Sequence, residues 1–294
     1  KRGKLASDGR PILGLSARTV LEIILDADPN SIMIPAHAWT PWFGVLGQNG
    51  GFNSLEECFG DLSKYIYAIE TGLSSDPEMN WRVKELDQRS IVSFSDAHSA
   101  PKMGRELTIF DTDLNYQSLL GALKEQKIHS TLEFFPEEGK YHYNGHRNCN
   151  FSETPAETQK RDMLCPVCKR PLTIGVMHRV AELAEKDRPE GFQAKDRPVF
   201  TKLVPLLEVI SEANKAPVTS PKVRNTFDLL INNFGNEVDI LTSVEPSETS
   251  MVAGNARIGE ALQKMRSGEI FIDPGYDGVY GVVHIWPPDK KEKK

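Results

Sequence analysis

Along the first half of the chain, short apolar runs alternate with stretches whose apolar residues fall at helical spacing. The runs at 31–35, 65–70, 91–94 and 107–110 have the length and the β-branched or aromatic content of buried strands. Between them, Val20, Ile23 and Ile24 predict a helix over 19–25, opened by Ser16. Ser54, with Glu57 at capping-box distance, opens another. Further helices are predicted at 80–86 and at 116–126, the latter from Leu119, Leu120 and Leu123. Such alternation predicts an α/β fold with a parallel sheet whose strand ends share one rim. An extended stretch at 128–135 then leads out of this domain through Pro136 and Gly139.

The second half reads differently. Helices are predicted at 176–184, 203–213, 223–234 and 255–267, with a strand at 238–241. Residues 269–285 read as two strands joined through Pro274-Gly275, where Gly275, Gly278 and Gly281 permit close backbone approach. A structural turn is the first reading of that end, a DNA-facing hairpin the second. The pattern divides the chain into a first α/β domain (1–135), a small module (136–185), a charged linker rich in Pro and Gly (186–198), an α+β C-terminal domain (199–288) and a Lys-rich disordered tail (289–294). The chain opens on Lys1 rather than Met, and 1–10 has the composition of a loop inside a protein, so a fragment lacking its N-terminus is expected.

Composition narrows the function classes. The net charge of -6 gives no global signal for nucleic acid, although a local basic face remains open. No apolar run approaches the roughly 20 residues that span a bilayer, and no leader is recognisable, so a cytoplasmic protein without membrane contact is expected. No Gly-x-x-x-x-Gly-Lys-Ser/Thr loop supports a motor reading.

Candidate chemistry gathers where the predicted strands end. His37 follows the run at 31–35, Glu70 closes that at 65–70, and Asp96 and His98 follow that at 91–94. Carboxylate and imidazole are ligands for hard or borderline divalent ions, and strand ends of α/β folds are where sites collect. Alone, His37 could be a hydrogen-bonded loop residue and Glu70 a salt-bridge partner or a helix cap. Recurrence at three strand ends favours a shared metal site. Lys102 and Arg105 follow, in a loop that suits phosphate oxygens or is simply solvated. Cys58, on a helix without nearby ligand types, reads as a core residue.

A second constellation lies in 140–172. His146-x-x-Cys149 and Cys165-x-x-Cys168 are two pairs separated by a polar loop, the spacing of a structural zinc knuckle. His146 fits as the fourth ligand, with His142 and His178 as alternatives. A redox Cys-x-x-Cys is the runner-up, but no thioredoxin-like pattern surrounds it. Arg147, Lys160, Arg161, Lys169, Arg170 and Arg179, interleaved with Tyr141 and Tyr143, make this the best local candidate for a nucleic-acid face, beside the plain reading of a solvated small domain.

The Ser95-Asp96-Ala97-His98 strand end resembles the last metal motif of the PHP (polymerase and histidinol phosphatase) phosphoesterase superfamily. The stretches 34–41, 93–98, 135–149, 165–172 and 274–281 together resemble the endonuclease Q family over nearly the whole chain. The resemblance implies the C-terminal part of a distorted (β/α)7 PHP barrel, an inserted zinc-binding domain and a C-terminal domain. It implies metal-dependent cutting of DNA 5′ to deaminated bases (uracil, hypoxanthine) or abasic sites, with replication or repair proteins as further partners. His37, Asp96 and His98, with Glu70 less secure, would ligate Mg²⁺, Mn²⁺ or Zn²⁺. Trp39, Trp42 and Phe43 would flank the cleavage site or a flipped base. The His-x-His strand that opens the superfamily is absent from this chain, so the chain alone is expected to be inactive. Two rivals remain. A small-molecule phosphoesterase would not need the His/Cys module, and a non-catalytic DNA-binding protein would not need Asp96 and His98.

Overall fold

The computed structural model describes residues 12–288; the loop expected at 1–10 and the tail expected at 289–294 lie outside the described residues. The strands are short: β1 (Ala68–Glu70), β2 (Ser90–Val92), β3 (Leu107–Ile109), β4 (Ser130–Glu133), β5 (Asn144–His146), β6 (Phe151–Glu153), β7 (Val199–Lys202), β8 (Phe271–Asp273) and β9 (Val282–His284). β1 and β2 pair in parallel, with Glu70 opposite Val92, as strand–helix alternation requires. The next sheet is mixed, because β4 runs antiparallel to β3 and parallel to β7. β7 lies past the charged stretch, yet it pairs with β4. That stretch is itself tied down: the Arg188 guanidinium forks onto Asp87 Oδ1 and Oδ2 at 2.6 and 2.7 Å, and Arg197 donates to Leu86 O at 2.9 Å.

Two cores result. The first gathers Leu21, Trp39, Phe59, Trp81 and Ile91 with Val176, Met177 and Val180 of the helix Val176–Leu183, so the exit helix of the Cys module is built into the α/β body. The second joins the helices Leu206–Asn214, Pro221–Phe234 and Ala256–Ser267 to Leu132 and Phe135 of β4 and its exit. Burying each such side chain contributes about 1.5–3 kcal/mol. No described helix is long and apolar enough to cross a membrane.

Several expectations change. Residues 31–35 form no strand of their own; Pro35 O accepts Glu70 N–H at 3.3 Å, and Glu70 O accepts Ala38 N–H at 3.1 Å. The strand expected at 91–94 ends at Val92, and Phe94 is 42% exposed instead of buried. The helix expected at 80–86 is the earlier turn Pro77–Trp81, started by Asp76 accepting from Met79 N–H. The strand expected at 238–241 is the helix Glu237–Thr242. Asn236 caps it by accepting from Asp239 N–H, and Ile240 and Leu241 point inward from one face. A short apolar run does not itself distinguish the two states.

β8 and β9 pair antiparallel, and the loop between them clasps the Cys module. Gly275 N–H donates to Glu137 O, Gly281 N–H to Glu138 O and Tyr143 N–H to Gly275 O. Asp277 accepts from Arg147 N–H at 2.7 Å and from Thr173 Oγ1 at 2.6 Å. A Cβ on Gly281 would stand 2.1 Å from Glu137 O, which is why these approaches need glycine.

Candidate functional site

Glu70 ends β1 and is buried, and its Oε2 accepts the His37 N–H at 2.5 Å. Burial raises its pKa, the His37 N–H opposes this, and the Asp96 charge raises it further, so the three residues share one electrostatic neighbourhood. His37 Nδ1 is buried without a partner. His98 Nδ1 lies 2.9 Å from the Asp96 carbonyl oxygen and 4.0 Å from Asp96 Oδ1. A carbonyl can only accept, so the proton sits on Nδ1 and the Nε2 lone pair is left for a ligand. Both His37 (φ 37°) and Asp96 (φ 44°) adopt the left-handed region, which non-glycine residues rarely occupy. Gly72 makes room for this turn, because a Cβ there would stand 2.6 Å from His37 Cβ. The donor set, two carboxylates and two imidazoles, suits a divalent ion. Asp96 and His98 are exposed, however, and the four do not converge as tightly as a closed site would.

Just below the rim lie two carboxylates that the strand-end motifs did not single out. Glu133 ends β4 and Glu106 precedes antiparallel β3, so both come to the edge that carries Glu70. Burial pushes Glu133 up to about 8 and Glu106 well above the usual carboxylate range, with their mutual repulsion adding to Glu106. The pattern that finds Glu70, a carboxylate closing an apolar strand, also finds Glu133. Nothing local marks Glu106.

The His/Cys cluster is closed. Ligand atoms of His146, Cys149, Cys165 and Cys168 all lie within 4.8 Å of one another, with His146 Nδ1 3.4 Å from Cys168 Sγ. Tetrahedral zinc with bonds near 2.3 Å separates its ligands by about 3.8 Å, so the four donors could hold such an ion. Burial would raise the Cys165 thiol, but the N–H groups of Cys168 and Val167 outweigh it and bring it down to about 7. His142 and His178 are elsewhere: His142 is buried, and His178 Nδ1 meets Asn144 Nδ2 at 2.9 Å. Cys58 is buried in the first core, where burial pushes its thiol up to about 11 and keeps it inert.

Between rim and cluster runs an aromatic cleft of about 340 Å³, walled by Trp42, Phe43, Tyr141 and Tyr280. Trp42 and Tyr141 meet edge to face at 4.8 Å, and Lys140 Nζ stands 5.7 Å from the ring centres of both Tyr141 and Tyr280. Trp39, expected at this face, is instead a core residue whose Nε1 donates to Asn80 Oδ1 at 2.8 Å. Arg105 holds the Asp96 loop by donating from Nε to Ser95 O at 2.8 Å, while Lys102 is exposed and its charge is felt at Glu138 and Glu208. Arg147, Lys169 and Arg170 are exposed on the Cys module.

Residues 205–269 match the family model described as the MJ0043 C-terminal domain. The chain is 29% identical over 259 residues to protein MJ0043 of Methanocaldococcus jannaschii, covering 85% of this chain and 32% of that protein. It is 30% identical over 261 residues to protein YqxK of Bacillus subtilis, covering 87% of this chain and 62% of that one. It thus spans a third to just under two thirds of these relatives. Among solved structures, the lesion-specific endonuclease PfuEndoQ of Pyrococcus furiosus matches 97% of this chain and 70% of its own, at 28% identity and a TM-score of 0.82. Endonuclease Q in complex with a 27-mer duplex bearing an abasic lesion at the active site matches 97% of this chain and 72% of its own, at 27% identity and 0.79. Fold and matches define a mixed α/β protein closely similar in structure to a lesion-specific endonuclease. Over nearly its whole length the chain is similar to the endonuclease Q structures.

Proposed function

We propose that this protein is a DNA-repair endonuclease that hydrolyses the phosphodiester 5′ to deaminated bases (uracil, hypoxanthine) or abasic sites. The observation that carries the reading is the match of 97% of the chain to endonuclease Q at a TM-score of 0.82. The neighbour with an abasic duplex at its active site supports the abasic part. His37, Glu70, Asp96 and His98 are the residues we assign to divalent ions, with the buried Nδ1 of His37 and the free Nε2 of His98 as the nitrogen donors. Ions at such a site supply charge neutralisation of the scissile phosphate and an acidified water. Arg105 keeps the Asp96 loop in place through Ser95 O. The aromatic cleft takes the flipped base, which costs least to extrude at a damaged pair, and Lys140 at its mouth meets a phosphate. Arg147, Lys169 and Arg170 follow the duplex backbone as cations. Because the four rim donors of this chain do not close on one point, the 294-residue chain is inactive alone in this reading.

The test is nicking of duplexes containing uracil, hypoxanthine or an abasic site, with Mg²⁺ or Mn²⁺. The full-length protein is expected to cut on the 5′ side, and Asp96→Asn to abolish cutting while keeping the left-handed turn, which Asn tolerates. Absence of cutting on every lesion duplex would overturn the assignment. Clear cutting by the 294-residue chain would overturn its inactivity.

A further inference from the structure

Glu133 stands fully buried under the rim. Its Oε2 accepts from Thr71 Oγ1 at 3.0 Å and from Ser93 Oγ at 3.1 Å. Thr71 directly follows Glu70, and Ser93 lies three residues ahead of Asp96. One carboxyl oxygen therefore joins the two strand exits that carry candidate ligands. The same hydroxyls also reach Val92 O and Leu132 O, both at 3.2 Å, so each sits between two acceptors and has little freedom to turn away. Glu106 secures the neighbouring exit, its Oε1 accepting Phe134 N–H at 3.1 Å.

Two buried oxygens remain without a partner, Oε2 of Glu106 and Oε1 of Glu133. Two adjacent ionised carboxylates in so dry a place would repel each other and lack solvation. Burial favours the neutral form of both groups, and the upward shift of both agrees with that. An ion is the other way to neutralise them. Glu133 Oε2, however, already serves two hydroxyls.

We propose that Glu133 is a positioning residue of the nuclease: a buried strut that fixes the separation of the strand exits bearing Glu70 and Asp96. The inference rests on the reading of the rim as the nuclease centre. It assigns Glu133 no contact with DNA or metal. Its side-chain geometry is what matters, and its charge is not used.

The experiment measures kcat and KM for nicking of an abasic-site duplex by the full-length protein and its Glu133→Ala, Glu133→Gln and Asp96→Asn forms. Glu133→Ala is expected to lower kcat roughly tenfold or more, the scale of a small misplacement of reacting groups, with KM and zinc content little changed. Glu133→Gln keeps an oxygen for Thr71 and Ser93 and carries no charge. It is expected to restore kcat to within about threefold of the parent. A Gln form as slow as the Ala form overturns the proposal, because the charge would then be in use. An Ala form as fast as the parent overturns it too. Should Glu133→Ala fail to fold, Thr71→Val removes one hydroxyl and leaves the carboxyl pair intact; an undiminished kcat there has the same force. If Asp96→Asn cuts as fast as the parent, the nuclease centre itself is misassigned. If Asp96→Asn is dead and Glu133→Ala is not, only the strut falls.

Discussion

The two constellations of metal-ligand residues obey different rules. The His/Cys cluster takes its donors from one short segment, and they meet within 4.8 Å. The rim takes its donors from three chain segments; Asp96 and His98 stay exposed, and His37 and Asp96 sit in left-handed backbone. A closed tetrahedron with no free position holds a fold together, whereas an open rim leaves room for a substrate. In the proposed reading, stability belongs to the first and chemistry to the second.

The largest effects should come from removing one member of each. The chain is expected to carry about one zinc ion. Cys165→Ser or exhaustive chelation is expected to release it and to expose the amides of 144–173 to hydrogen exchange, since structural zinc binds with apparent energies of about 10–16 kcal/mol. Asp96→Asn is expected to leave the melting temperature within about 2 °C, as an exposed substitution should. Equal exchange before and after Cys165→Ser would dissolve the contrast.

A smaller effect lies where the two regions meet. Trp42 comes from the loop after His37 and Tyr141 from the Cys module, and their edge-to-face contact joins the walls of the cleft. Stacking on an aromatic is worth about 1–3 kcal/mol per base, so Trp42→Ala is expected to reduce the preference for lesion over undamaged duplex by roughly ten- to a hundredfold. Zinc content should not change. An unaltered preference, measured as a ratio of kcat/KM values, would move the base elsewhere.

The same contrast decides what the sequence makes legible. A Cys-x-x-Cys turn is a local geometry, so its spacing reveals it before any fold is known. The rim is legible only through the rule that apolar strands end in ligand types, and it brings Glu70 and Asp96 to one edge because β1 and β2 are parallel neighbours. It stops at Glu106, which reaches the edge only because β3 runs antiparallel to β4, a pairing that local pattern does not encode. Trp39 and Trp42 are three residues apart and equally aromatic, yet one donates to Asn80 in the core and the other faces solvent. Tertiary packing separates them. The helix Glu237–Thr242 was readable from the Asn236 cap and its acidic first turn, signals that a four-residue apolar run obscures.

The smallest effect concerns the hinge between the regions. Glu138 sits in the short helical turn that leaves β4 for the Cys module, and its carbonyl accepts Gly281 N–H from the clasping loop. Its Oε1 is buried without a partner. Burial pushes the carboxyl up to about 8, the charges of Glu208 and Glu137 push the same way, and Lys102 opposes them. In the unfolded chain a Glu titrates near about 4.3. The folded state thus keeps a proton that the unfolded chain releases, so this contribution to stability is complete below the unfolded value and is lost as pH rises through the folded one. Glu138→Gln imitates the protonated form at every pH. It is expected to leave the melting temperature unchanged near pH 4 and to raise it near pH 9, each kcal/mol of recovered stability corresponding to about 2–4 °C in a domain of this size. Glu106 and Glu133 act in the same direction, so the alkaline decline should shrink without vanishing. A Gln form that melts with the parent at both pH values would mean that Lys102 already neutralises Glu138, and the hinge would then be held by an ion pair instead of a buried acid.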